Sequence, residues 1–242
     1  MKKFYFNKAF TLAEVLITLG VIGVVAAITI PGLISAYNKH IVETRLKATY
    51  STILQAFRMY QAQFGDFSLE NSEYEDADVN GYSWQRSKDI FDEFFAPVFV
   101  GATAYPKDTT FNIYSVDGST QFASGNQRYT VYFTLSNGTV LGFMRAGNYD
   151  GCIFTLILHP QKNKLIVGRD VLSMGFQADA SGTYSYKTIA SRRYSNDTRA
   201  DFIENCKSTV YHPQYNTQVP DFCTVLIIRN GFKIPDDYPI KM

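Results

Sequence analysis

The hydrophobic positions divide the chain into an apolar N-terminal segment and a longer part with helix-like and strand-like periods. Between Phe10 and Asn38 the one charged side chain is Glu14. The run from Val15 to Ile34 has about twenty residues, the length that a helix needs to cross roughly 30 Å of hydrocarbon. The pattern predicts a membrane-directed helix with a single carboxylate near its start.

A second helical pattern follows directly. Its apolar positions step by four and three, which is the spacing of one helix face. They are Leu46, Tyr50, Ile53, Phe57, Tyr60 and Phe64. Pro31 should kink the helix, because proline removes a backbone hydrogen bond, and Gly65 fits as its end. We expect one helix of about fifty residues whose second half, 35–65, packs its aromatic face on a sheet.

The remaining residues, 66–242, are predicted to form a β-rich globular head, because aromatic and β-branched residues favour strands. Strand-like runs begin at Phe111, Tyr129, Thr139, Cys152 and Lys164. Asn137 and Gly138 join the second and third runs, which is a strong hairpin signal. We expect the later runs to continue an antiparallel meander. A short helix around Ser87 to Phe95 should precede the strands, and the pattern after Asp170 is less regular. The fold class is α+β.

Composition and motifs narrow the chemistry. The formal net charge of +1 gives no general attraction to nucleic acid or anionic lipid. The three cysteines and three histidines have no metal-ligand spacing. The chain also lacks the short motifs of nucleotide-binding loops, serine hydrolases and zinc proteases. We therefore expect neither a zinc site nor an enzyme. A membrane-anchored hydrolase whose residues converge only in the fold is the open alternative.

Two charged stretches are candidate binding sites. Residues 66–78 carry acids without a basic residue, which suggests either a calcium loop or a solvated connection. The EF-hand spacing is absent, so we favour the connection and expect no cofactor. Basic and aromatic residues interleave between Tyr184 and Arg199, as in surfaces that hold single-stranded nucleic acid, although a solvated loop is the commoner cause. They are Tyr184, Tyr186, Lys187, Arg192, Arg193, Tyr194 and Arg199.

The N-terminal segment admits three interpretations. An ordinary secretory signal could be cut after Ala36, but its apolar core would be only about 7 to 15 residues and would not contain an acid. A plain transmembrane anchor tolerates Glu14 near an interface. The third interpretation, given next, explains more of the sequence "KAFTLAEVLITLGVIGVVAAITIP", which runs from Lys8 to Pro31.

From Ala9 to about Pro31 this sequence closely resembles the N-terminal signature of type IV prepilins and of type II secretion pseudopilins. The resemblance implies a pilin-like fold and cleavage between Ala9 and Phe10. A leader, 1–9, would be lost, Phe10 would be N-methylated, and 10–34 would be the transmembrane and polymerisation helix. Ala9 stands where the family usually has glycine.

The resemblance also implies partners and a location. Glu14 would pair with the amino group of a neighbouring subunit, and a head-to-tail contact that does not close generates a fibre. By their spacing, the small residues at 13, 20, 23 and 27 lie on one side of the helix, where they either let helices approach closely or are the ordinary composition of a membrane helix. The partners would be a prepilin peptidase and methyltransferase, other pilin or pseudopilin subunits, membrane lipid, and an inner-membrane platform with its ATPase. The head would be extracytoplasmic. A DNA-uptake minor pilin and a plain membrane-anchored binding domain are the alternatives.

The cysteines alone leave every pairing open. Pilins often close a C-terminal loop with a disulfide, so the resemblance implies Cys206 with Cys223. Cys152 opens an apolar strand and is expected to be a buried thiol. A faint similarity to a pseudopilin calcium region touches Asp150 and Asp170, but hairpin-turn and strand-cap roles explain both, so neither is predicted to be a ligand.

Overall fold

The longest element is helix α1, Leu12–Phe64, which confirms the expected continuous helix. The computed structural model describes residues 10–64, 82–122, 125–145, 151–178, 184–186, 198–209 and 218–242. Pro31 lies within α1 and the helix continues through it, so the kink at Pro31 stays a prediction. The chain forms two units, Met1–His40 and Ile41–Lys241, and we call the second the globular unit.

A six-stranded antiparallel sheet is the centre of the globular unit, with the order β1-β3-β4-β5-β7-β8. Its strands are β1 (Thr103–Ala104), β3 (Val131–Thr134), β4 (Val140–Arg145), β5 (Gly151–Ile157), β7 (Val171–Ala178) and β8 (Tyr184–Tyr186). The expected hairpin is confirmed, because β3 and β4 pair on either side of Asn137 and Gly138. Gly138 has a φ of 76°, a backbone conformation that glycine adopts without a steric penalty.

The expected continuation of the meander after β5 is wrong. The run at Lys164 forms β6 (Leu165–Ile166), which leaves the main sheet and pairs in parallel with β2 (Ile113–Tyr114). The strand beside β5 is β7 instead. The chain reverses between β6 and β7 at Gly168, which has a φ of 77° and whose N–H donates to the carbonyl of Val171.

The aromatic face of α1 packs on one face of this sheet, as predicted. Leu46, Ile53 and Phe57 are buried. The Phe57 ring lies 5.6 Å from Phe176 of β7 and 5.3 Å from Phe95, measured between ring centroids. Phe95 ends a π-helical turn, Phe91–Phe95, that continues α2 (Trp84–Ile90), so the short helix expected near Ser87 is confirmed.

Two helices that the sequence reasoning missed pack on the opposite face. They are α3 (Arg199–Cys206) and α4 (Gln218–Arg229). Alternate residues of a strand point to opposite faces, and Ile157 and Val171 belong to the same buried cluster as Phe202 and Phe222. The head is therefore less purely β than expected, with a sheet between two helical layers.

The disulfide between Cys206 and Cys223 joins these two helices, with the Cα atoms 4.8 Å apart. Cys152 is a buried thiol outside the disulfide, as expected. A Cβ atom at Gly168 would lie 2.9 Å from the Sγ of Cys223 and would also meet Ile240. Gly168 therefore lies against both the disulfide and Ile240 of the C-terminal segment.

Candidate functional site

The start of α1 is a capping box built by Thr11 and Glu14. The backbone N–H and the hydroxyl of Thr11 both donate to Oε2 of Glu14, each at 2.9 Å. In return, the N–H of Glu14 donates to the Thr11 hydroxyl at 3.2 Å. This reciprocal arrangement satisfies backbone donors that the first helical turn otherwise leaves without partners. The sequence contains its signal, a threonine followed three residues later by a glutamate, which our sequence reasoning did not use.

The carboxylate keeps one oxygen available. Both bonds from Thr11 go to Oε2 of Glu14, and Oε1 has no hydrogen bond with any residue that the structure describes. Phe10 precedes the helix and its side chain is 85% exposed. The Glu14 carboxylate can therefore accept one more charged donor, such as an ammonium group, without losing its bonds to Thr11. Ala9, the other side of the predicted cut, lies outside the described residues.

The apolar part of α1 is exposed among the residues that the structure describes. Its large side chains are exposed throughout, including Leu16, Ile22 and Ile28. This helix is long and apolar enough to cross a membrane. A Cβ atom at Gly20 or Gly23 would meet nothing within 4 Å. These two glycines are therefore not required by packing within the described chain, and they leave the helix surface open to another helix.

Residues of α1 just inside the globular unit bind its C-terminal segment and a sheet connection. Glu43 accepts hydrogen bonds from Nζ of Lys233 at 2.6 Å and from the N–H of Ile234 at 3.0 Å. Nη1 of Arg45 donates to the carbonyl of Leu158 at 2.9 Å. These contacts place the connection 158–170, between β5 and β7, at the end of the globular unit where the chain enters it.

Asp170 is the centre of a buried charge network in this connection. Its side chain is fully buried. Oδ1 accepts from Nζ of Lys162 at 2.7 Å and lies 3.0 Å from Nδ1 of His159. Oδ2 accepts from the N–H of Ile166 at 3.0 Å and from Nη2 of Arg169 at 3.0 Å.

Burial by itself would raise the pKa of Asp170, but the bonds from His159, Lys162, Ile166 and Arg169 outweigh it and hold this pKa well below its usual range. Asp170, for which we predicted a strand-cap role, therefore lies at the centre of a larger network of hydrogen bonds and ion pairs. Among the described residues, the side-chain partners of Asp170 are two cations and an imidazole. Asp150 lies outside the described residues.

The comparison with protein families assigns the chain. A model described as a family of unknown function, DUF6613, matches residues 32–242. The chain belongs to this family. No curated protein and no solved structure matches it. The DUF6613 match covers the globular unit and begins at residue 32, near the end of the apolar run, so it carries no information about residues 10–31.

Within the DUF6613 region, Arg199 of the basic and aromatic candidate surface forms an exposed ion pair with Asp237. Its guanidinium donates to Asp237 through Nη2 at 2.6 Å and through Nε at 3.0 Å. The hydrogen bonds to Asp237 raise the pKa of Arg199, and they lower the pKa of Asp237. Tyr184 and Tyr186 lie in β8. The other members of that surface, Lys187, Arg192, Arg193 and Tyr194, lie outside the described residues.

The remaining candidate in the DUF6613 region is the acidic run 66–78, which also lies outside the described residues. Among the residues that are described, no group of three or more His, Cys, Asp or Glu side chains could hold a metal ion.

Proposed function

We propose that this protein is a structural subunit of a type IV pilus or of a type II secretion pseudopilus. The observation that carries the proposal is the Thr11–Glu14 capping box at the start of an exposed apolar helix. The box holds an anion where cleavage before Phe10 would create a cationic amino terminus. In the proposed fibre, that terminus on one subunit pairs with the Glu14 carboxylate of another, because a charge in an apolar setting needs a partner.

The box also accounts for Glu14 in the unassembled subunit. A carboxylate near a bilayer is costly unless it is hydrogen-bonded, and Thr11 supplies two donors from the same chain. In the proposed pathway a prepilin peptidase and methyltransferase process the chain at Ala9 and Phe10. A membrane platform and its ATPase then add the subunit to the fibre. The globular unit is extracytoplasmic and the protein performs no catalysis.

Co-expression with a prepilin peptidase tests the processing step. We expect the chain to lose residues 1–9, seen as a mobility shift and confirmed by the mass of the intact protein. Ala9→Gly should be cleaved at least as fast, and Ala9→Leu should not be cleaved, because the family places a small residue before the cut. Cleavage of the Ala9→Leu variant, or the absence of cleavage in both the natural chain and Ala9→Gly, would contradict the proposal.

A further inference from the structure

The connection 158–170 presents cations outward while its central anion is buried. The exposed fractions of the Lys162 and Arg169 side chains are 42% and 35%, whereas that of Asp170 is 0%. Lys164 is also exposed, and its Nζ lies 4.7 Å from the centre of the Tyr114 ring. We call Lys162, Lys164 and Arg169 the basic surface. A group that approaches it meets positive charge first, because the neutralising carboxylate lies behind the cations.

One exposed acid beside Lys164 offsets only part of the positive charge of the basic surface. Asp117 is exposed in the turn next to Lys164, and its carboxylate accepts hydrogen bonds from Ser115 and Ser119. It offsets one cation of the basic surface. Glu43 lies at the same end of the globular unit, but its side chain is only 14% exposed and binds Lys233. Arg45, on α1, adds a further cation against the carbonyl of Leu158.

The basic surface belongs to a connection that lies near the point where the chain enters the globular unit. The connection 158–170 lies at the end where the chain enters the globular unit, because Arg45 binds Leu158. The exposed apolar residues of α1 end at about Ile34, and the globular unit begins at Ile41. Even a fully extended chain covers only about 25 Å over seven residues. If α1 crosses a membrane, this end of the globular unit is within reach of the lipid headgroups.

We propose that the basic surface binds anionic phospholipid headgroups of the membrane that α1 enters. Lysine and arginine side chains near an anionic surface are attracted to it over about a Debye length. The proposal needs only the membrane anchor and does not depend on the fibre. Such binding would hold the globular unit against the membrane.

Lysine acetylation of the full-length chain in lipid nanodiscs tests the proposal. In discs that contain phosphatidylglycerol, Lys162 and Lys164 should react more slowly than in discs of phosphatidylcholine alone, and high salt should abolish the difference. Lys107 is the internal control. It lies against Trp84 of α2, and α2 contacts Arg145 at the end of β4. That end of the sheet is opposite the end at which β5 leads into the connection 158–170.

A variant removes one cation without touching Asp170. Lys164→Gln should lower the ratio of protected to accessible Lys162 about fivefold, the effect expected for one surface cation, and Lys107→Gln should leave that ratio unchanged. Equal acetylation rates in the two kinds of disc would overturn the proposal. So would protection in detergent with inorganic phosphate, which would indicate a free-anion site, or protection that requires an added oligonucleotide, which would indicate a nucleic-acid surface.

Discussion

Asp170→Ala should lower the free energy of unfolding by about 2–3 kcal/mol, the usual effect of losing hydrogen bonds to a charged group and leaving a buried donor without its acceptor. The substitution leaves Lys162 and Arg169 without their shared carboxylate and removes the acceptor of the Ile166 N–H. It also loosens the turn that directs the chain into β7. Urea unfolding followed by circular dichroism measures the effect.

Asp117→Ala is the matched control, since Asp117 is also an aspartate in a turn and accepts several hydrogen bonds, but is exposed. We expect a much smaller loss of stability there. Equal losses for the two variants would show that the Asp170 network stabilises the fold no more than an ordinary turn does.

The same network predicts a pH dependence. Because the pKa of Asp170 is lower in the folded chain than in the unfolded chain, its stabilisation is complete above the unfolded pKa of about 3.9. It is lost progressively as the pH falls below that value toward the folded pKa. Asp170→Ala should therefore show a shallower loss of stability between neutral pH and acid than the natural chain. An unchanged acid profile in the variant would contradict the assigned shift.

Glu14→Gln should reduce fibre recovery by about tenfold or more while leaving cleavage of the leader intact. Glutamine keeps a side-chain oxygen that accepts from Thr11, so the capping box survives. It lacks the negative charge that would pair with the amino group of Phe10 on a neighbouring subunit. A tenfold loss corresponds to about 1.4 kcal/mol, a modest share of what a partly buried charge pair can contribute.

Glu14→Ala separates the two roles of the side chain further, because it removes the cap as well as the charge. We expect processed monomer of both variants to accumulate in the membrane, seen by fractionation and by electron microscopy of sheared fibres. Normal fibres from Glu14→Gln together with a defect in Glu14→Ala would mean that Glu14 serves the helix start alone. That outcome would remove the proposed pairing.

Local patterns predicted the elements whose stability is local. The apolar run has the length of a membrane-crossing helix, and the face from Leu46 to Phe57 has helical spacing. Both form part of α1. Asn137 and Gly138 form a turn because glycine adopts a positive φ there, and the hairpin follows. The disulfide between Cys206 and Cys223 followed from the resemblance, since the cysteines themselves left the pairing open.

Elements that depend on distant partners were not predictable in this way. The run Leu165–Ile166 has the composition of a strand, and only its pairing with β2 shows that it leaves the main sheet. The chain reverses at Gly168 and Asp170, and β7 pairs with β5 in the main sheet instead. The Asp170 network collects side chains from several points of one connection, and no spacing rule describes it.

The helices α3 and α4 carried a weaker signal. Thr198 and Asp201 form a capping box at the start of α3, the same motif as Thr11 and Glu14 at the start of α1. A systematic search for this motif would have found the starts of α1 and α3. The two boxes differ in setting, because only the one at Glu14 stands at the head of an apolar segment, where an uncompensated carboxylate is costly.

The most direct test of the central claim is mass spectrometry of the N-terminus of the mature protein isolated from its native membrane. The proposal predicts a chain that begins at Phe10 and carries an N-methyl group. A chain that begins at Met1 would indicate a plain anchor, and one that begins at Tyr37 would indicate secretory cleavage. Either of these results would contradict the assignment as a pilin or pseudopilin subunit.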